Sequence, residues 1–238
     1  MIEIYKSIEG KLTPWETMEE GVWINLENPD ENEVDSVSEA LNIDQDFIRA
    51  ALDEEESSRI ETDDGTTLIV VDIPYVEARE KTIYYSTIPL GVVLTGHAII
   101  TVCLKESPIV RDFADGKVKT FATFKRMRFI LQLLYKVCIK YLQYLKQISK
   151  VAESIEKRVH KSTKNKELIQ MLELEKSLVY FNTSLRANEK VLEKLMRNES
   201  IKNYPDDEEL LEDVIIENKQ AIEMAKIYSD ITKNTMDA

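Results

Sequence analysis

The run TIYYSTIPLGVVLTGHAIITVCL, residues 82–104, holds 23 residues without one Asp, Glu, Lys or Arg. That is long enough to cross a bilayer as a helix, and the fold class turns on whether it does. Ser86, Thr87, Pro89, Gly91, Thr95, Gly96 and His97 interrupt the run. Its apolar residues are mostly β-branched or aromatic, side chains that suit a pleated surface. Thr95-Gly96-His97 is a turn signal. The run therefore reads as two buried strands, Thr82–Leu94 and Ala98–Leu104, joined by a hairpin, and the chain as it stands has no spanning segment.

Upstream, Met1–Ile8, Gly21–Leu26, Ser58–Thr62 and Thr66–Pro74 read as further strands, with Asp64-Gly65 a turn between the last two. Asp30–Leu41 and Asp44–Leu52 read as short helices, each led by an Asp that can cap its first turn. Downstream the composition changes. All six glycines and five of the six prolines lie in residues 1–120, so turns end there and helix begins. Charge changes at the same place. Residues 1–120 hold 26 acidic and 10 basic side chains, residues 121–200 hold 8 and 17, and residues 201–238 hold 10 and 4.

Phe124, Met127, Leu131, Leu134, Cys138, Tyr141, Leu145, Ile148, Ala152, Ile155 and Val159 follow an unbroken 3,4 spacing, the seam of a coiled coil or helical hairpin. After a polar turn at His160–Lys166, a second stripe follows: Met171, Leu174, Leu178, Phe181, Leu185, Asn188, Leu192 and Leu195. Asn188, its polar member, is expected to fix the register of the helix pair. The lysine excess here reads as a solvated face or as a surface that docks on an acidic one.

A last helix starts at Pro205, with Asp206, Asp207, Glu208 and Glu209 at its positive end. It runs to the last residue, roughly 50 Å at 1.5 Å per residue. Its heptad face, Leu211, Ile215, Asn218, Ile222, Ala225, Ser229, Thr232 and Met236, becomes small and hydroxylated toward the end. Two readings fit that drift: parallel copies converging round a hydrated axis, or packing on the preceding hairpin. Glu223, Asp230 and Asp237 each follow a lysine by four residues, which suits intrahelical ion pairs. The expected architecture is α/β (α+β): a mixed sheet covered by helices in residues 1–120, a long antiparallel helical hairpin in 121–204, and a stalk-like helix in 205–238.

The whole chain of 238 residues carries a formal charge of −13, which argues against nucleic-acid binding through bulk charge. Two cysteines, Cys103 and Cys138, fit neither a disulfide framework nor a thiolate metal cluster, and two histidines, His97 and His160, are too few for zinc-hydrolase ligand sets. Residues 1–5 enter a strand-like alternation and resemble no signal peptide. A reducing, cytosolic setting follows. Neither a Walker loop, a dinucleotide turn, a nucleophile elbow nor HExxH is present, so no enzyme is expected. What remains is hard-oxygen chemistry. Asp53-Glu54-Glu55-Glu56 and the six carboxylates within Asp206–Asp213 suit Mg²⁺ or Ca²⁺. Unpaired, such clusters repel one another, and a cation bridging two of them would stabilise an assembly.

Residues 51–61 (ALDEEESSRIE), Leu68–Pro74 (LIVVDIP), Val22–Leu26, Ile99–Val102 and Thr235–Ala238 together resemble, in order along the whole chain, the cytoplasmic domain of the CorA-type divalent-cation transporters. The family's Gly-Met-Asn triplet is missing, and the resemblance places the end of the chain just before the pore helix. It therefore implies a truncated cytoplasmic domain of a homopentamer under the cell membrane, whose last helix continues into the pore. It implies regulatory Mg²⁺ between neighbouring subunits that holds the closed state. Asp213 matches the stalk-helix aspartate of that site, its partner falls at Asp53 or Glu54, and Asp237 matches an acidic ring at the pore mouth. Co²⁺ and Zn²⁺ are the alternative ions, the latter in a zinc-transporting branch of the same fold. A soluble acidic coiled-coil scaffold is the reading from a different class.

Overall fold

A computed structural model describes residues 1–79, 82–159, 165–197 and 204–237, and not the side chains of Arg79, Thr82, Val159 and Asp237. Seven strands, β1 (Ile2–Ile8), β2 (Lys11–Pro14), β3 (Val22–Glu27), β4 (Arg59–Asp63), β5 (Thr66–Arg79), β6 (Thr82–Leu94) and β7 (Ile99–Cys103), form one sheet in the order β2-β1-β3-β7-β6-β5-β4. Only β3 and β7 pair in parallel. The uncharged run is β6 and β7, an antiparallel pair in which Leu94 faces Ile99. Thr95 closes the turn: its hydroxyl accepts the N–H groups of His97 and Ala98 at 3.1 and 2.9 Å.

β5 extends beyond the expected end at Pro74, and Lys11–Pro14 adds a strand with no counterpart in the sequence reading. Both prolines inside the long strands sit where the ladder is one-sided. Pro74 faces Thr87 on β6, past the last β4 pair at Arg59 and Val70, and Pro89 lies past the last β7 pair at Leu90 and Cys103. A missing N–H costs nothing there.

Helix α1 (Glu31–Leu41) starts in a capping box: the Asp30 carboxylate accepts the Glu33 N–H and Glu33 accepts the Asp30 N–H. Helix α2 (Asp46–Arg49) tightens into a 3₁₀ turn at Ala50–Leu52. Their buried apolar groups, among them Val34, Val37, Phe47 and Ile48, pack on one face of the sheet. The other face carries α3 (Pro108–Ala114), which the sequence reading passed over, together with α4 (Arg126–Val159), α5 (Asn165–Leu195) and α6 (Pro205–Asp237). One continuous core joins β5 and β6 to these four helices. Trp23 anchors it, ringed by Tyr5, Phe113, Phe121 and Phe129, with its indole N–H donating to Thr101 at 2.9 Å.

The second stripe is buried throughout as expected, and the first is buried or half-buried along most of its length. Phe124 departs from it: this residue precedes α4 and is exposed. The polar turn begins outside the described residues (160–164), and its last two members already belong to α5. Asn188 does not set the register of the helix pair. Its amide oxygen accepts the Asp72 N–H at 2.9 Å and its amide nitrogen donates to the Asp72 carbonyl at 2.8 Å. Because β4 stops opposite Val70, this side chain stands in for the missing strand and pins α5 to β5.

Of the two readings of α6, packing within the chain is observed. Leu211, Asn218, Ile222, Ala225 and Thr232 are buried, and Asn218 donates to the Leu185 carbonyl of α5 at 3.2 Å. Contacts from Arg128 to Asp207 and from Glu175 to Lys233 make α6 parallel to α4 and antiparallel to α5. Lys233 reaches Glu175 of α5 at 3.3 Å. Ile216, Ile227 and Ile231 remain exposed on the outer face. Among the described residues, no helix is long and apolar enough to cross a membrane.

Candidate functional site

The stretch Asp53–Glu56 leaves the 3₁₀ turn seated against β6. A Cβ built on Gly91 would lie 2.6 Å from the Ala51 Cβ, so only glycine lets the turn approach so closely. Asp53 then folds the loop back on itself: one carboxylate oxygen accepts the Glu55 N–H at 3.0 Å and its carbonyl accepts the Glu56 N–H at 3.1 Å. Glu56 is tied down by a short ion pair with Arg59, which also reaches Glu61 at 3.2 Å. Among the described residues, Glu54 has only a long contact with Lys105, at 3.9 Å. Asp53 is exposed, with no ion pair among the described residues.

The loop rests on a groove that also takes in Asp72, Thr87, Thr183 and Lys190. Ser58 donates to Asn188 at 3.0 Å, so the amide that pins Asp72 also seats the end of the loop. Burial raises the Asp72 carboxyl above the usual carboxylate range, against the opposing hydrogen bond of Ser184. Sequence reasoning missed this group. The available signal was a lone acidic residue in the otherwise apolar LIVVDIP strand.

The second acidic stretch opens α6. Asp207 is buried, and its carboxylate accepts a 2.7 Å hydrogen bond from the Arg128 guanidinium of α4. Asp206, Glu208, Glu209, Glu212 and Asp213 point outward. Asp213 lies on the α4 side, where Tyr135 has its phenol raised by partial burial and then by the charges of Glu217 and Asp213.

Asp53, Glu54 and Asp213 do not come together within one chain: among the described residues, no three His, Cys, Asp or Glu side chains are placed to hold a metal. Every donor in the three is a carboxylate oxygen, the set that suits Mg²⁺, and all three are open to solvent. The backbone of Asp237 is the last helical residue of α6, and its side chain lies outside the description. Both cysteines are buried and free, and burial pushes Cys103 up to about 11 and Cys138 up to about 12, which leaves neither as a thiolate ligand.

The cobalt/magnesium transport protein CorA of Methanocaldococcus jannaschii is 26% identical over 225 residues, which is 91% of this chain and 68% of that protein. The solved soluble domain of CorA from the same organism superposes with a TM-score of 0.87 at 22% identity, covering 100% of this chain and 95% of that one. The complete CorA magnesium transporter structure gives 0.86 at 21%, covering 100% and 75%. The family model described as "CorA-like Mg2+ transporter protein" matches residues 19–238, nearly the whole chain, and the chain belongs to that family.

Proposed function

We propose that this chain is the cytoplasmic, Mg²⁺-sensing part of a CorA-like divalent-cation transporter at the cell membrane. Residues 1–120 form the sensor, residues 121–204 an arm, and residues 205–238 a stalk leading toward the pore, with Asp237 at its mouth. The working assembly is a homopentamer in which Asp53 or Glu54 of one subunit faces Asp213 of the next. Mg²⁺ neutralises the carboxylates when bound there, and the closed ring is stable only while it does. No catalytic role is assigned.

The observation that carries this reading is the uneven charge compensation of the two acidic stretches. Each has one carboxylate locked in a close ion pair, Glu56 on Arg59 and Asp207 on Arg128, while Asp53 and Asp213 stand exposed on separate elements. Carboxylates that cannot meet within one chain are free to meet between two. The exposed Ile216, Ile227 and Ile231 supply α6 with an apolar outer face for neighbouring stalks.

Calorimetric titration with Mg²⁺ tests it. Wild type should give a saturable heat that Asp213→Ala loses, together with Mg²⁺-dependent protection from protease. Equal heats for the two proteins would remove the site.

A further inference from the structure

Between the start of β6 and the adjoining ends of α4 and α5 lies a cavity of about 520 Å³, within the size range of small-molecule sites. Its floor is built in advance. Tyr85, Ile155 and Leu174 are buried there. The Tyr85 ring is braced edge-on by Tyr144 and Phe181 at 5.8 and 6.3 Å, and its hydroxyl donates to Gln147 at 3.3 Å. The walls continue that apolar surface outward through Ile83, Val151 and Ile169, which are 52%, 41% and 59% exposed. Single exposed apolar side chains are ordinary. Three of them facing one cavity above a buried aromatic floor make a largely apolar channel.

Tyr84, Gln170, Glu173 and Ser177 are polar members of the wall, whereas the cations stand together. Arg158, in the last turn of α4, and Lys166, in the first turn of α5, gather at one end. The Arg158 guanidinium donates to Gln170 across the gap between the helices at 3.2 Å. Arg158 suits the negative end of α4, but Lys166 stands at the positive end of α5, where a cation is disfavoured. Lys166 forms no ion pair among the described residues. Among the described residues, Glu173 is the one carboxylate of the lining, and it lies farther along α5. From Lys166 to Ser177 the lining spans about 16 Å at 1.5 Å per residue. The groove therefore has a cationic end and, along Ile83, Val151, Ile155 and Ile169, an apolar wall.

We propose that this groove binds a single-chain amphiphilic anion, an alkyl carboxylate whose head lies between Arg158 and Lys166 and whose tail runs along Ile83, Ile155 and Ile169. The site shares no residue with the metal-bridging carboxylates and does not depend on that reading.

Calorimetric titration of the Mg²⁺-free protein with dodecanoate below its micellar concentration tests the proposal, with dodecylammonium as the charge-reversed probe. One dodecanoate should bind per chain, and dodecylammonium at least tenfold more weakly. The double variant Arg158→Glu with Lys166→Glu should lose at least tenfold in dodecanoate affinity. Ile169→Glu, at an exposed position that the fold does not need, should lose as much, and Asp213→Ala should bind like wild type. Absence of saturable binding, equal affinity for the two probes, or wild-type affinity in either groove variant would overturn the proposal.

Discussion

The two acidic stretches of this protein are alike in composition and differ in how they are held. Asp53–Glu56 is a loop folded on its own backbone and seated through Ser58 on Asn188. Asp206–Asp213 is the start of a long helix, held by one buried ion pair between Asp207 and Arg128. In each, one carboxylate is held in a close ion pair, Glu56 on Arg59 and Asp207 on Arg128, and Asp53 and Asp213 are left exposed. Composition alone makes all of them equivalent; the partner of each side chain separates the structural members from those open to a cation.

That separation breaks if the anchors are removed. Asn188→Leu should have the largest effect. It orphans the Asp72 N–H on the open edge of β5, at a cost of about 3 kcal/mol, and frees the end of the loop. Chemical denaturation should show the loss, with faster proteolysis near Ser58. Asp207→Ala comes next. It leaves the Arg128 guanidinium half-buried without its partner, at a cost of about 2 kcal/mol. For a chain of this size the melting temperature should fall by roughly 4–8 °C. If either variant melts like wild type, the anchor it removes is not one.

A pH series sharpens the contrast at the loop's groove. Burial raises Asp72 in the folded state, so folding tightens its hold on a proton. The stability this contributes is present below the ordinary aspartate range and is lost as pH rises through the raised folded value. Asp72→Asn should therefore melt higher than wild type at pH 7, with the gap closing as pH falls below that range. A gap independent of pH would mean that folding leaves the affinity of Asp72 for its proton unchanged. The smallest effect belongs to the outward carboxylates. Without Mg²⁺, Asp53→Asn and Asp213→Asn should each change stability by less than about 0.5 kcal/mol, because neither has an ion pair among the described residues and an amide oxygen can still accept the Glu55 N–H.

Much of the fold was legible in the sequence because period and punctuation are local. The uncharged run could be divided into β6 and β7 from Pro89, Gly91 and the Thr95 turn, and the stripe from Met171 to Leu195 located α5 without help from its partners. What escaped were features set by distant groups. Asn188 reads as a polar member of a helix seam, yet it completes a strand edge, because whether β4 reaches Asp72 is written nowhere near residue 188. The face of α6 left two readings open, and only the position of the α4–α5 groove decides between them. For the site, the acidic stretches were plain, and Asp213 was reached through family resemblance. Which carboxylates the fold consumes depended on Arg59 and Arg128, neither of which announces its partner.

The central claim is that the open carboxylates of one chain meet those of another around Mg²⁺. Mixing two complementary variants tests it most directly. A chain with Asp53→Ala and Glu54→Ala lacks one half of the bridge, and a chain with Asp213→Ala lacks the other. Followed by sedimentation velocity at constant ionic strength, each variant alone should ignore Mg²⁺, whereas the equimolar mixture should sediment faster as Mg²⁺ is added, since one intact bridge forms between unlike chains. A mixture as unresponsive as its components, beside a wild type that responds, would contradict the account.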